Sequence, residues 1–555
     1  MKRIILLFAI IGLLAGCGPN PQEKALEAFI QNHVKKIKPL EKAANLAYWD
    51  AATTGNSELY QKYAEMDLEM RKVRSNADDF AQIKVWKESG AIKDPLLKRQ
   101  LEILYEDYLE NQIEPDLLKQ IVDLGAQVEE KFSTFRGKID GKPVTTNEIG
   151  DILKTETDSK KRKKAWEASK QVAPEVADDL IQLVKLRNQA ARSLGFDNYH
   201  TLMLTVNEQK VDDLDQIFDE LYGLTYTAFN EMKADLDGIL AQNAGVQVKD
   251  LMPWHYHDPF FQETPLVLDV DLDGYYANRD VVELAKTFYQ GIGLSTDAIL
   301  DDSDLYEREG KNPHAFCTDI DRAGDVRILC NVKNNESWME TLLHELGHAV
   351  YDQSMTSDTP WLLRRPAHIF TTEAVAMYFG RLNRNALWMQ GMLDLTDEQR
   401  QSIESVTVQY AKMKQLIFAR WAMVMYQFEK QLYANPDQDL NALWWQLVEK
   451  YQGIKAPKNR KSPDWAAKIH FTIAPCYYHN YLLGELLASQ FHHYIGKELL
   501  KSDAADFQCV DEKVVGDFFV KQVFEPASLY PWNGMIERAT GEPLTPKYFV
   551  EQFVQ

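Results

Sequence analysis

The chain has 555 residues, 45% of them apolar and 26% charged, ample for a large hydrophobic core. A formal net charge of −21 argues against nucleic acid as a partner and favours a water-soluble body, while leaving the substrate open.

The first element is MKRIILLFAIIGLLAGC. Lys2 and Arg3 make a positive start, and Ile4 to Leu14 is an apolar run too short to span a bilayer. Leu14-Ala15-Gly16-Cys17 carries the small-residue pattern of a bacterial lipobox, in which the cysteine is acylated; a plain secretory signal is the alternative. The expected organisation is a signal peptide over residues 1–16, a lipid-anchored tether over 17–24 and one domain of two helical lobes over 25–555. Such a protein is exported, held at the cell envelope through its lipid alone, and monomeric.

Most of the remaining chain reads as helix. NQIEPDLLKQIVDLGAQVEEKFSTFRG (111–137), DDLDQIFDELYGLTYTAFNEMKADLDGIL (212–240) and SIESVTVQYAKMKQLIFARWAMVMYQFEKQLY (402–433) repeat apolar residues at three- and four-residue spacing. The acidic DDSD at 301–304 reads as a solvated turn, because calcium-loop spacing is missing. Strand-like alternation is confined to Ala315–Val332, where DRAGD turns between two extended runs. The fold class predicted is mainly α: a large two-lobed molecule with a deep central cleft and very little β structure. Apart from Cys17 there are four cysteines, Cys317, Cys330, Cys476 and Cys509. In an oxidising compartment Cys317–Cys330 is the favoured disulfide, and four free thiols are the alternative.

ESWMETLLHELGHAV (336–350) places His344 and His348 one helical turn apart on one face, with Leu342, Leu343 and Leu346 for packing. Imidazoles so spaced can reach one zinc ion, and Glu345 sits beside them as a candidate base. Catalytic zinc takes three protein ligands and keeps one position open. RRPAHIFTTEAVAMYFG (364–380) offers Glu373 as the third, although a surface carboxylate would look the same from sequence.

HELGH followed at this distance by a glutamate resembles the gluzincin peptidases, and LRRPAHIFTTEA is similar to the matching block of the angiotensin-converting-enzyme (peptidyl-dipeptidase A) family. NPHAF resembles that family's substrate-backbone step, which implies His314 and Ala315. AKIHFTIAPCYYHNYLLGELLASQ resembles its Lys-x-His, Pro, Tyr-x-x-Tyr stretch, with one residue more between His470 and Tyr478. AANLAYWDAATTGN (43–56) is similar to the family's lid helix, and LRNQAARSLGF and YPWNGMIERATGEPLTPKYFVEQF extend the likeness across roughly residues 40–550.

The resemblance implies a zinc peptidase that releases C-terminal dipeptides from peptide substrates. It assigns His344, His348 and Glu373 to one zinc ion and Glu345 to proton transfer. Tyr481 and His470 are implied at the developing oxyanion, Lys468 and Tyr478 at the substrate carboxylate. Three positions depart from the pattern. Met377 stands where the family has an aspartate orienting a ligand histidine. Asn480 replaces a chloride-binding arginine, so chloride is not expected as a cofactor. The family's carboxylate-binding glutamine has no evident counterpart; the nearest stretch is PWHYHDP, whose His255 and His257 are expected to be helix-flanking surface residues, with a place in the cleft lining as the alternative. Two rivals share these motifs. HELGHA and APCYYHNY also resemble the thimet-oligopeptidase and oligoendopeptidase families. A non-catalytic zinc-containing peptide-binding lipoprotein is the other, and it would be expected to lack Glu345 or Tyr481.

Overall fold

The computed structural model describes residues 20–268, 271–502 and 507–554. Cys17 and the expected signal lie outside them. The described chain is mainly helical, with two antiparallel two-stranded hairpins as its named sheets.

Helix α1 (Pro21–Thr54) starts where Asn20 accepts the Gln22 N–H and Pro21 takes the first helical position. Residues 21–24, expected as tether, are therefore its first turn: Asn-Pro is a helix start as well as a linker. The helix ends at Gly55, with φ 70°, where a Cβ would strike the Gly310 carbonyl. With α2 (Ser57–Arg74) and α3 (Pro95–Leu109), α1 builds a core of its own that also takes in Trp361 and Leu362.

The body holds α4 (Pro115–Thr134), the hairpin β1 (Gly137–Ile139) and β2 (Lys142–Val144), and α5 (Thr146–Thr155), which opens with a Thr145–Glu148 capping box. A second hairpin pairs β3 (Phe316–Asp319) with β4 (Val326–Leu329). One of its faces, through Val326, Ile328 and Cys330, joins the main core. Phe316 and Leu329, a pair in the register, pack with Trp49 of α1. The hairpin is thus held between α1 and the body, and Arg322 in its turn makes a bidentate pair with Glu41 of α1.

Helix α6 (Glu336–Gln353) and helix α7 (Ile369–Gly380) run antiparallel and unusually close. A Cβ on Gly347 would lie 2.8 Å from Ala376 Cα, and one on Gly380 would meet His344 Cβ at 3.5 Å. Glycine inside HELGH therefore sets how near α7 comes. Helices α8 (Asp397–Ala434) and α9 (His479–Tyr494) complete the site's walls, and a Cβ on Gly484 of α9 would touch Glu373 Cβ at 3.4 Å.

The favoured Cys317–Cys330 disulfide is not formed; all four described cysteines are free thiols. The register pairs Cys317 with Ile328 and leaves Cys330 on the diagonal. Diagonal neighbours sit roughly 7–8 Å apart, beyond the usual reach of a disulfide. Among the described residues no helix is long and apolar enough to cross a membrane.

Candidate metal centre and peptide cleft

Burial of Leu342, Leu343, Leu346, Ala349 and Val350 turns the other face of α6 toward α7, and that face carries His344 and His348. Their Nε2 atoms lie 3.2 Å apart. Glu373 Oε2 stands 3.7 Å from His344 Nε2 and 3.9 Å from His348 Nε2. A tetrahedral zinc ion with ligands at 2.0–2.1 Å would hold its ligand atoms about 3.3–3.4 Å apart, so this triangle fits one after a slight contraction. Thr372 Oγ1 lies 2.7 Å from His348 Nδ1. With Nδ1 protonated, its N–H donates to the hydroxyl and the Nε2 lone pair is left for a metal.

Burial pushes Glu345 up to about 8, helped by its neighbour Glu373 and opposed by the Cys317 backbone N–H that donates to it. Burial alone raises Glu373 to about 7. It also lowers His344 to about 4 and His348 well below the usual range, so both imidazoles are neutral. Neutral imidazoles beside two carboxyls make a donor set suited to a divalent cation, whose charge would keep both carboxyls ionised.

A cavity of about 680 Å³ opens beside this triangle, with Tyr481, Tyr478, His470 and Gln262 in its wall. Tyr481 neighbours Glu373 electrically, and its ring packs on Tyr478 at 5.4 Å and on Tyr477 at 5.2 Å. Tyr478 accepts the Trp421 Nε1 proton at 2.7 Å, which leaves its own O–H to donate. His470 lies 5.0 Å from Tyr478, ring to ring, and its buried Nδ1 finds no protein partner. Lys468 Nζ donates to Gln262 Oε1 at 2.7 Å, leaving the amide N–H groups of Gln262 for another acceptor. Burial lowers Lys468 to about 8. His314 is exposed, and with Ala315 it leads into β3, whose Cys317 N–H meets Glu345.

The family model described as angiotensin-converting enzyme matches residues 20–550. The chain belongs to the angiotensin-converting enzyme family. It is 20% identical over 498 residues to angiotensin-converting enzyme of Theromyzon tessulatum, covering 82% of this chain and 79% of that protein. The Mus musculus enzyme is 26% identical over 248 residues, 43% of this chain and 19% of its own length. A Caenorhabditis elegans protein named inactive angiotensin-converting enzyme-related protein is 21% identical over 377 residues, 59% of this chain and 40% of its own. Membership therefore makes the chain a relative of peptidases, and the site must argue for activity.

Against the family pattern, the structure supplies what the sequence did not reveal. Gln262 meets Lys468 from a loop with no periodicity. Asp258 shapes that loop by accepting the N–H groups of Phe260, Gln262 and Glu263 at 2.7, 3.0 and 3.1 Å. His255 and His257 are buried there, not surface residues. His255 accepts the Met252 N–H and His257 the Leu266 N–H, so both fix backbone. The stretch between His470 and Tyr478, longer by one residue, turns through Cys476 at φ 58°, whose N–H donates to Glu429. Asn480 is buried and accepts from Gln209, which in turn meets His479, so neutral amides occupy that region.

Met377 packs beneath Gly484, leaving Thr372 as the group that orients His348. Thr372→Val should weaken zinc binding about 10–100-fold, while Thr372→Ser retains it. Competition against a chromophoric chelator measures this; unchanged affinity in the valine variant would remove Thr372 from the centre.

Proposed function

We propose that this chain is a zinc peptidase that removes dipeptides from the free C-termini of peptides. One observation carries the proposal: Tyr481, which neighbours Glu373 of the His344–His348–Glu373 cluster, lines one cavity with Tyr478, His470 and Gln262, and Gln262 accepts from Lys468. Zinc, when bound by His344, His348 and Glu373, supplies a Lewis acid and a water of pKa near 7. Glu345, fixed by the Cys317 N–H, accepts the proton of the attacking water and passes it to the leaving amine. The scissile C–N bond breaks as the new carboxyl forms. Tyr481 donates to the oxygen that becomes negative, with His470 binding the adjoining backbone.

Lys468, Gln262 and Tyr478 grip the substrate's terminal carboxylate. Two extended residues span about 7 Å, which sets the dipeptide as product when the carboxylate is held that far from the cleaved bond. Backbone groups alternate along a strand, so Ala315 turns its N–H and C=O to the same side as those of Cys317, where an extended peptide would add to the edge of β3. Acylation at Cys17 would hold this monomeric enzyme at the cell envelope.

Mass mapping of products from a free decapeptide and its C-terminal amide tests the proposal. Losing a charge-assisted contact costs about 1.5–3 kcal/mol, so the amide should be cut about 10–10²-fold less efficiently. Lys468 is charged below about 8 and neutral above it. Efficiency on the free acid should therefore fall as pH rises through that value, with the amide unaffected. Equal cleavage of both peptides, at internal bonds, would make the chain an oligoendopeptidase instead. The inactive relative keeps the third reading in view, a zinc-containing peptide-binding lipoprotein. Retention of Glu345 and Tyr481 favours catalysis, and turnover lost to a chelator and restored by zinc would exclude mere binding.

A further inference from the structure

The carboxylate donors do not close the cleft. Behind them lies a second chamber of about 460 Å³, walled by α4, the β1–β2 hairpin, α5 and the loop around Asp258. Lys154, Gln262, Glu263 and His470 line both this chamber and the 680 Å³ cavity, so they form a partition between the two. The far side is open: Thr146, Asn147 and Asp151 of the chamber wall are exposed. Its volume falls within the ~300–1,000 Å³ typical of small-molecule sites, enough for a dipeptide but not for a folded partner.

Its charges suit a product better than a substrate. Peptide hydrolysis gives the C-terminal fragment an amine that the intact chain lacked. With a pKa of about 7.7–8.0 that amine is largely protonated at neutral pH, so the released dipeptide is a zwitterion. The chamber offers both signs: the Lys154–Glu263 pair at 3.2 Å in the partition, Lys468 in the chamber's own wall, and Asp151 at the open side. We infer that the dipeptide leaves through this chamber, away from the path by which the longer fragment withdraws. The inference rests on the dipeptidase reading above.

Gly150 provides the test. It lies on α5 in the chamber wall, and a Cβ there meets nothing within 4 Å, so a larger side chain enters open space without a backbone clash. In Gly150→Trp, and independently in Asn147→Trp, release should become limiting: steady-state kcat falls about tenfold and a burst of one product equivalent appears, while the single-turnover cleavage rate stays unchanged. Gly150→Ala should behave as the parent. Unchanged kcat without a burst in both tryptophan variants would overturn the exit route. So would a single-turnover rate that falls in proportion, which would make the chamber part of the substrate site. The mass of the C-terminal fragment separates these results from failure of the dipeptidase reading: fragments other than dipeptides would sink that reading and the exit route with it.

Discussion

Glu345→Gln is expected to lower kcat about 10²–10⁴-fold while leaving zinc bound in full. Glutamine keeps the size of the side chain and an oxygen to accept the Cys317 N–H, so the local packing survives. What it loses is the ability to take up a proton and return it. Glu345 lies beside the ligands on α6 without belonging to the triangle of His344, His348 and Glu373. Metal content, read by elemental analysis, should therefore stay near one equivalent. Glu373→Gln provides the contrast, because it removes an anionic ligand and should lose metal and activity together. Near-parental turnover in Glu345→Gln with zinc present would end the proton-transfer assignment. Loss of zinc from that variant would instead show that Glu345 acts as a ligand.

Much of this architecture was legible because it is local. Helical periodicity in 212–240 and 402–433 became the long helices Val211–Ala244 and Asp397–Ala434, and the DRAGD turn became the β3–β4 hairpin. HELGH announces its own geometry, since two histidines four apart on one helix must face the same way. The third ligand was less secure, as nothing in IFTTEAVAM alone separates a buried carboxylate from an exposed one. Gly347 brings Glu373 near the two histidines by letting α7 pack against α6. Other features depend on contacts between distant segments and carry no periodic signal. Gln262 reaches Lys468 across 206 positions, and its loop is shaped by Asp258 and two buried histidines. Thr372 looks like a helix residue of no consequence until it meets His348. The disulfide expectation failed for a related reason. Cysteine counting gives no register, and one step along the diagonal separates two thiols on neighbouring strands.

Tyr481→Phe should slow turnover about 10²–10³-fold, the usual cost of one lost oxyanion donor, with little change in KM. The ring remains to pack on Tyr477 and Tyr478, so melting behaviour should be near that of the parent. Three hydroxyls crowd this part of the cleft, and their surroundings predict different outcomes. Tyr478 is tied to Trp421 and sits beside Lys468, so Tyr478→Phe should raise KM for free-acid peptides and leave the amide alone. Tyr477 and Tyr481 both neighbour Glu373, but only Tyr481 lines the 680 Å³ cavity with His470 and Gln262. Tyr477→Phe should accordingly keep most of its activity. If the large fall in kcat appeared in Tyr477→Phe and not in Tyr481→Phe, the donor would lie four residues earlier, ahead of α9, and the orientation of the peptide along β3 would have to be redrawn.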